Sequence, residues 1–412
     1  MKTLMFYCQH LLGIGHLIRS MEIARGLTQD FKVNFINGGE VIDGFRVPPG
    51  VEVVNLPPLK TDAEFRGLQI PAEFESLEAA MEKRTTIMLE LLDRVQPDVL
   101  MVELFPFGRR RLSAELIPLL ETAKSIGTKV VCSLRDIVVT KQDQARHEAK
   151  VCKLMNRYFD LLLIHGDPKF MPLERSFSRI KDLTCEVHYT GYVVQREEAG
   201  DREQKMGEME EMGKMGESKS KIQNLKSKIQ IPGSPFILTS VGGGRFGHEL
   251  LDCVVKASAL LEGKIPHHIQ MFTGPFSPDP IFSRLQQMAA GRSNLTVERY
   301  TPSLLSYMRR ADLSISMAGY NTTLNVLTTG VRAMLSPFTG NDDQEQTLRS
   351  ERLEQLGVVR MIRPEDLNPE RFAHKVIDCL GQEPAPIDFD LQGVEKTAML
   401  LNTLAQKTAI AA

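Results

Sequence analysis

Residues 311–346 contain side chains and turns that could bind a negatively charged ligand. An apolar run at 312–316 predicts a strand, and a helix is expected to follow it and to end at Gly330. The helix start is formed by small and polar residues, which are Ala318, Gly319, Tyr320, Asn321 and Thr322. Its backbone N–H groups would lack helical partners and would lie at the positive end of the helix dipole. They could therefore bind a diphosphate without a lysine.

A polar segment follows the next predicted strand, at 333–336. Asp343 and Gln344 in this segment could hold sugar hydroxyl groups through their carboxylate and amide atoms. Because strand, anion-binding turn, helix, strand and polar loop follow in this order, the region predicts a pocket for a sugar nucleotide. The alternative is an ordinary strand–helix–strand unit without a ligand, since Gly-Tyr-Asn-Thr-Thr also suits helix capping.

A second candidate anion site is rich in glycine. Gly242, Gly243, Gly244 and Arg245 follow the predicted strand 236–241 and open a helix. Glycines allow backbone amides to approach a phosphate closely, and Arg245 could add positive charge. The segment is not a Walker A motif, because no Gly-Lys-Ser/Thr follows it. It is not a dinucleotide fingerprint either, because the glycine spacing differs.

The first loop of the chain carries a short glycine motif. Gly13, Gly15 and His16 come directly after the first predicted strand and open a helix that reaches Leu27. In open α/β sheets, ligands bind beyond the carboxyl ends of the strands. The position of this loop therefore makes it a candidate binding site, although so short a motif is weak by itself.

Three consecutive arginines, Arg109, Arg110 and Arg111, follow the fourth predicted strand. They could clamp an acceptor phosphate, or touch anionic lipid headgroups beside Phe105 and Phe107. They could also be solvated at a helix start. Because positive charge at a helix N-terminus opposes the dipole, a binding role for at least one of them is favoured.

The composition excludes several classes of protein. The chain has 412 residues, of which 42% are hydrophobic, with 50 basic against 52 acidic residues. Such a balance argues against a nucleic-acid-binding protein, which should show a basic excess. The six cysteines are scattered without a Cys-x-x-Cys pair and suggest reduced core residues. With no secretory or membrane-spanning run predicted, a cytoplasmic protein is expected.

Strand-length apolar runs alternate with helical patterns, which predicts βαβ units and parallel sheets in two halves. In the first half the predicted strands are 4–8, 32–36, 51–56, 99–102, 129–134, 161–164 and 187–189. In the second half they are 236–241, 269–273, 295–297, 313–316, 333–336 and 358–362. The expected domains are 1–199 and 234–390, separated by a low-complexity insert at 200–233 and followed by a last helix in 391–412 that crosses back to the first domain.

The region after the strand at 312–316 resembles the donor-binding region of inverting glycosyltransferases of the GT-B fold. Residues 319–325 stand where that family has Gly-Trp-Asn-Ser-x-x-Glu, and Asp343 with Gln344 stands where it has Asp-Gln. The chain is most similar to bacterial predicted glycosyltransferases with a family 28 C-terminal domain, whose opening it matches from Phe6 to His16. The resemblance implies two Rossmann-like domains whose parallel sheets face each other across a cleft. It also implies transfer of a hexosyl group from a nucleotide sugar, expected to be a UDP-sugar, to an acceptor hydroxyl with inversion.

The resemblance also implies roles for individual residues. His16 would be the general base and Glu103 its partner carboxylate, with Asp136 as the rival base. Tyr300 stands where related enzymes hold the uracil ring with backbone groups. Gly13, Gly15, Arg109 and Arg110 would contact the acceptor, whose identity is open and which could be lipid-linked or phosphorylated. Peripheral contact with the inner face of the membrane is then expected.

The chain departs from the family pattern at two donor-site positions. Asn325 replaces the glutamate that holds the ribose hydroxyls, and Met317 replaces the histidine that contacts the diphosphate. A UDP-sugar 2-epimerase, a nucleotide-sugar hydrolase or a degenerate binding protein therefore remain as alternatives. No metal or cofactor is expected, because Asp388-Phe389-Asp390 lies in a Pro-flanked tail and His267-His268 lacks partners at ligand spacing.

Overall fold

The computed structural model describes residues 1–11, 14–42, 45–61, 67–139, 143–195, 234–301, 303–340, 344–386 and 388–411. They divide into two compact units. The first contains Met1–Val194 and Phe389–Ala412, and the second contains the described residues of Gln195–Asp342 and Gln346–Asp388. The predicted insert at 200–233 lies outside the described residues.

The first unit is built on a parallel sheet whose strands were expected from their apolar runs. Its strands are β1 (Lys2–Cys8), β2 (Phe31–Asn37), β3 (Val51–Asn55), β6 (Val99–Glu103), β7 (Lys129–Arg135), β8 (Leu161–His165) and β9 (Glu186–Tyr189). They lie in the order β3-β2-β1-β6-β7-β8-β9. A small antiparallel pair, β4 (Lys60–Thr61) and β5 (Leu68–Gln69), stands apart. All residues of β6 and β8 are buried, as expected for strands covered on both faces.

Helices cover both faces of this sheet. One apolar core joins the strands to α2 (Leu77–Val95), α3 (Ser113–Ser125) and α4 (Gln144–Tyr158). A second core joins the other face to α1 (Gly15–Leu27) and α11 (Gly393–Ala411). The helix expected in 391–412 thus lies in the first unit and packs on α1. In the described part of the chain, no helix combines the length and apolar character that crossing a membrane requires.

The second unit repeats the same architecture with fewer strands. Its strands are β10 (Phe236–Ser240), β11 (His268–Phe272), β12 (Leu295–Glu298), β13 (Leu313–Met317), β14 (Ala333–Ser336) and β15 (Arg360–Met361), in the parallel order β12-β11-β10-β13-β14-β15. Its helices are α5 (His248–Glu262), α6 (Asp279–Ala289), α7 (Leu304–Arg310), α8 (Tyr320–Thr329), α9 (Glu345–Gln355) and α10 (Pro369–Leu380). The strand expected at 358–362 is limited to two residues, because this edge strand pairs only with Met334 and Leu335.

Each sheet has a point where the strand order reverses, between β1 and β6 in the first unit and between β10 and β13 in the second. Loops that leave such neighbouring strands run to opposite faces and open a crevice at the carboxyl edge. His16 follows β1 and Glu103 ends β6, while the glycine loop follows β10 and the Ala318–Thr322 segment follows β13. The topology therefore brings both members of each predicted site to a switch point.

The packing of α11 on α1 depends on a glycine. A Cβ atom at Gly26 would lie 2.0 Å from Val394 Cγ1. We expect Gly26→Ala to lower the free energy of unfolding of the first unit by about 1–3 kcal/mol, because the added methyl overpacks the contact. Urea unfolding followed by far-UV circular dichroism measures this loss.

Adding Val394→Ala to the Gly26→Ala chain should restore part of the lost stability, because it removes the atom that clashes. Gly263→Ala is the control, since a Cβ atom at Gly263 meets no atom within 4 Å. Equal unfolding midpoints for Gly26→Ala and Gly263→Ala would contradict the packing described here.

Candidate active site

In the first unit, the switch point holds a buried histidine–carboxylate pair. Nδ1 of His16, in the first turn of α1, lies 2.8 Å from Oε1 of Glu103, the last residue of β6. The Glu103 side chain is fully buried, while 18% of the His16 side chain is exposed. One ring edge of His16 is thus fixed by the protein. The pair brings together two predicted catalytic residues that are 87 positions apart in the chain.

The electrostatics of the pair define its protonation. Burial lowers the pKa of His16 to about 4. The nearby charges of Arg135 and Arg109 also lower this pKa, whereas Glu103 raises it. Burial disfavours the charged form of Glu103, but His16 and Arg19 outweigh it and lower the pKa of this carboxyl to about 2. At neutral pH, His16 is therefore neutral and Glu103 is ionised. Because a carboxylate only accepts, Nδ1 carries the proton and Nε2 has a free lone pair.

Asp136, the rival base, lies in a closed environment. It is fully buried, and its Oδ2 accepts a hydrogen bond of 2.8 Å from the Tyr192 hydroxyl. Gly166 packs so close that a Cβ atom there would lie 2.6 Å from Asp136 Cβ. The Asp136 carboxylate is therefore closed off from solvent, whereas 18% of the His16 side chain is exposed.

The residues expected to contact an acceptor are separated by the structure. Gly15 opens α1, whereas Gly13 lies outside the described residues. Arg109 has a left-handed backbone with φ of 58°, and its Nε donates a hydrogen bond of 3.0 Å to the Gln9 carbonyl. It therefore braces the backbone at Gln9, directly after β1. Arg110 instead lines a groove on the outer face of the unit.

This groove lies between α3 and α4 and has a volume of about 640 Å³. It is lined by Arg110, Arg111, Ser113, Ile117, Glu121, Lys150, Lys153, Leu154, Arg157 and Tyr158. Five of these side chains are cationic, and the carboxylate of Glu121 is bonded to Arg157 at 3.0 Å. We name this surface the basic groove. The expectation that Phe105 and Phe107 accompany the arginines at a surface is wrong, because both rings are buried in the core.

Two buried arginines at this site were missed at the level of sequence. Arg84 of α2 is fully buried, and its guanidinium donates to Glu115, to the Gly38 carbonyl and to Gln9 Oε1, at 2.6 to 2.9 Å. It holds the Gln9 loop from the other side. Arg19 of α1 forms an ion pair with Glu103. The sequence did contain a signal for Arg19, which is a cation on the apolar side of α1, one turn after His16.

In the second unit, the glycine loop is shaped by close backbone contacts. Gly244 has φ of +84°, and a Cβ atom there would lie 2.4 Å from the Thr273 carbonyl oxygen. The Gly243 carbonyl accepts a 2.9 Å hydrogen bond from Phe276 N, and Nε2 of His248 donates to the Gly244 carbonyl at 2.9 Å. Since both carbonyls are engaged, the loop is held in one conformation at the carboxyl end of β10.

The exposed part of this loop is suited to ligand contact. Gly242 and Gly243 are exposed, and so is Arg245, whose guanidinium lies 5.1 Å above the Phe276 ring. Across the switch point, α8 begins after Gly319, which as the N-cap has no side chain to bond the first-turn amides. The two segments place backbone donors and one cation at the same edge of the sheet.

The other predicted donor-site residues fall into buried and exposed sets. Ala318, Tyr320 and Asn325 are buried, and Arg349 lies 5.1 Å above the Tyr320 ring, so Tyr320 can offer a ligand its backbone only. Tyr300 is 60% exposed at the end of β12. Asn321 and Thr322 are partly exposed, Gln344 is exposed, and Asp343 lies outside the described residues.

The segments set aside as metal decoys have structural partners. Asp390 forms an ion pair with Lys396 at the start of α11. His267 Nε2 lies 2.9 Å from Asn294 Nδ2 and His267 Nδ1 lies 3.0 Å from the Ile265 carbonyl. Within the described ranges, no group of three or more His, Cys, Asp or Glu side chains could hold a metal ion.

Comparison with known proteins identifies the second domain. Residues 237–390 match the model of the glycosyltransferase family 28 C-terminal domain. The UDP-N-acetylglucosamine--N-acetylmuramyl-(pentapeptide) pyrophosphoryl-undecaprenol N-acetylglucosamine transferase of Hahella chejuensis (strain KCTC 2396) is 30% identical over 89 residues. That match covers 22% of this chain and 25% of the relative, so the chain spans about a quarter of the relative's length.

Solved glycosyltransferase structures share the fold of both units. Acinetobacter baumannii MurG superimposes with a TM-score of 0.55 at 14% identity, covering 98% of this chain and 99% of that chain. Phytolacca americana UGT2, complexed with UDP-2fluoro-glucose and pterostilbene, gives a TM-score of 0.60 at 14% identity, with 99% and 95% covered. The expected GT-B fold, with two parallel-sheet α/β domains, is confirmed.

Two neighbouring glycines provide a test of the glycine loop. We expect Gly244→Ala to destabilise the second unit by about 2 kcal/mol or more, because it combines a left-handed backbone with a clash against the Thr273 carbonyl. Gly243→Ala should cost less than about 1 kcal/mol, since its Cβ atom would lie 3.6 Å from Phe276. Calorimetric unfolding of both variants measures the two losses of stability. Similar losses in the two variants would show that the loop is not held as described.

Proposed function

Because residues 237–390 are a glycosyltransferase family 28 C-terminal domain, we propose that this protein transfers a hexosyl group from a UDP-sugar to an acceptor hydroxyl with inversion. The observation that carries the proposal is the pairing of His16 Nδ1 with the buried Glu103 carboxylate at 2.8 Å. It leaves one imidazole nitrogen as a base at the carboxyl edge of the sheet, where ligands of such folds bind.

In the proposed reaction, Nε2 of His16 takes the proton of the acceptor hydroxyl while that oxygen attacks the anomeric carbon. A new bond forms from the acceptor oxygen to the anomeric carbon, and the bond from that carbon to the diphosphate oxygen breaks. UDP leaves on the opposite face, which inverts the configuration. Glu103 stabilises the imidazolium that forms. Since His16 is neutral above its lowered pKa, the base is available throughout the neutral range.

The donor would be held mainly by backbone groups. The amides of the glycine loop and of the α8 start would bind the diphosphate and stabilise the charge that develops as UDP leaves. Arg245 would add a cation, and backbone groups near Tyr300 would hold the base. Asn325 would meet the ribose, and Asp343 with Gln344 would contact the sugar hydroxyls. No metal ion is required in this scheme, because the backbone N–H groups and Arg245 supply positive potential at the diphosphate.

The donor site is tested by calorimetric titration with UDP, UDP-glucose, UDP-galactose, UDP-N-acetylglucosamine, GDP-mannose and dTDP-glucose. We expect micromolar binding of one donor, and equal binding by His16→Ala, because His16 belongs to the other unit. Turnover of that donor with lipid-linked and phosphorylated acceptors should fall by roughly 10²- to 10⁴-fold in His16→Ala. His188→Ala, which removes a histidine whose side chain is 42% exposed, should keep full turnover.

Three outcomes would overturn parts of this proposal. Absence of nucleotide binding would exclude the donor site. Release of UDP without an acceptor would identify a hydrolase, and full turnover by His16→Ala would assign the base elsewhere. The configuration of the product at the anomeric carbon, read from its proton coupling, tests inversion directly.

We further propose that the acceptor is carried on a lipid and that the basic groove contacts the inner face of the membrane. The name of the Hahella relative includes a pyrophosphoryl-undecaprenol acceptor. Five cations of the groove surround the partly buried Ile117 and Leu154, which suits an anionic headgroup region above an apolar layer.

Cosedimentation with vesicles of anionic and of neutral lipid tests the membrane contact. We expect the protein to bind anionic vesicles and to lose at least about tenfold in affinity in the double variant Lys150→Glu and Lys153→Glu, because each cation near the surface contributes about 1 kcal/mol. The variant Lys256→Glu and Lys264→Glu reverses the same number of charges in the second unit and should bind like the natural chain. Equal binding of both double variants would contradict the role of the groove.

A further inference from the structure

Two donors converge on one oxygen of the Glu103 carboxylate. Oε1 accepts from His16 Nδ1 at 2.8 Å and from Arg19 Nη2, and the Arg19 residue is 2% exposed. Arg19 follows His16 by three positions in α1, so both side chains leave the same face of the helix. We propose that Arg19 is a positioning residue that holds the Glu103 carboxylate and thereby fixes the orientation and the tautomer of His16.

The charge of Glu103 explains why a second partner is needed. A buried carboxylate is costly unless it is paired, and neutral His16 offers it one N–H group only. The guanidinium of Arg19 stays charged at every physiological pH, so it compensates Glu103 whether His16 is neutral or protonated. Glu103 Oε2 has no hydrogen-bond partner among the described residues. The carboxylate is therefore oriented through Oε1, the oxygen that His16 and Arg19 share.

Sharing this oxygen also has a consequence for His16. Because Arg19 shares the charge of Glu103, the carboxylate stabilises an imidazolium at His16, but less than an unshared carboxylate would. Arg19 thus holds His16 in the neutral form, with the proton on Nδ1 and the lone pair on Nε2. The catalytic role of Arg19 rests on the proposed transferase function, which it deepens. The contacts among Arg19, Glu103 and His16 do not depend on that function.

Other charged and titratable groups surround the pair. Arg109 follows β6 and Arg135 ends β7, and both disfavour a second cation at His16. His165 of β8 lies between the hydroxyls of Ser133 and Thr190 at 2.8 Å each, and burial lowers its pKa to about 3. Cys8 of β1 is buried beside Glu103, which together with burial raises its pKa to about 12. Neither His165 nor Cys8 carries charge near neutral pH, so the pKa of His16 depends on its burial, on Glu103 and on the arginines around it.

Nitrogen NMR of the full chain with ¹⁵N-labelled histidine tests the inference without any substrate. In the natural protein, the His16 signals should show a proton on Nδ1 at pH 7 and should titrate well below pH 6.5, the ordinary value. Arg19→Met should raise the titration midpoint of His16 by on the order of one pH unit, because one of three opposing cations is removed. Arg19→Lys, which keeps the charge, should fall between the two.

Arg25→Met is the matched control, since Arg25 lies on the same helix and pairs with Glu22 instead. It should leave the His16 titration unchanged. A proton on Nε2 in the natural protein, or an unchanged midpoint in both Arg19→Met and Arg19→Lys, would overturn the inference. If Arg19→Met does not fold, the inference is still tested by the His16 tautomer of the natural protein and by the His16 titration midpoint of Arg19→Lys.

The nucleotide titrations are independent of this result. If no nucleotide binds while His16 titrates as expected, the proposed transferase function fails and the positioning role of Arg19 stands.

Discussion

A carboxylate that water cannot reach must be compensated by its neighbours, and Glu103 is such a carboxylate. The N-terminal part of α1 supplies both partners, His16 and Arg19, three positions apart on one helix face. The ion pair thereby ties the start of α1 to the end of β6. Arg84 and Arg109 hold Gln9 itself, Arg84 through its side-chain oxygen and Arg109 through its carbonyl. These contacts leave His16 as a weak base with a lone pair on Nε2.

In the second unit, backbone contacts shape the candidate site. Its switch point has no buried ion pair of this kind among the described residues. Close approach of two backbones at Gly244 and Thr273 shapes the glycine loop, and the Phe276 amide and His248 ring bond its carbonyls. Amide groups and Arg245 then provide positive potential without a buried charge. Met317, the last residue of β13, packs its side chain against Gly247.

The central strands were predictable because they are buried on both faces and appear as apolar runs, as in β6 and β8. The edge strand β15 was overextended, since an apolar run does not show how many neighbours a strand has. Arg19 and Arg84 were missed because a buried cation is recognised by its partner, and the partners Glu103 and Glu115 lie 84 and 31 positions away. The surface role given to Phe105 and Phe107 failed for the same reason, since burial depends on what other segments cover.

The order of motifs along the chain determined the fold class, the glycine loop, the helix-start donors and the histidine loop, because local spacing and apolar runs carry these features directly. Only the tertiary structure decided how the predicted partner Glu103 and the predicted rival base Asp136 are surrounded. Glu103 ends β6 and Asp136 directly follows the neighbouring strand β7, yet one contacts the imidazole and the other is closed in by Tyr192 and Gly166. The physical reason is that a parallel sheet joins residues through strand order, and strand order reverses between β1 and β6 at a place that no local pattern records.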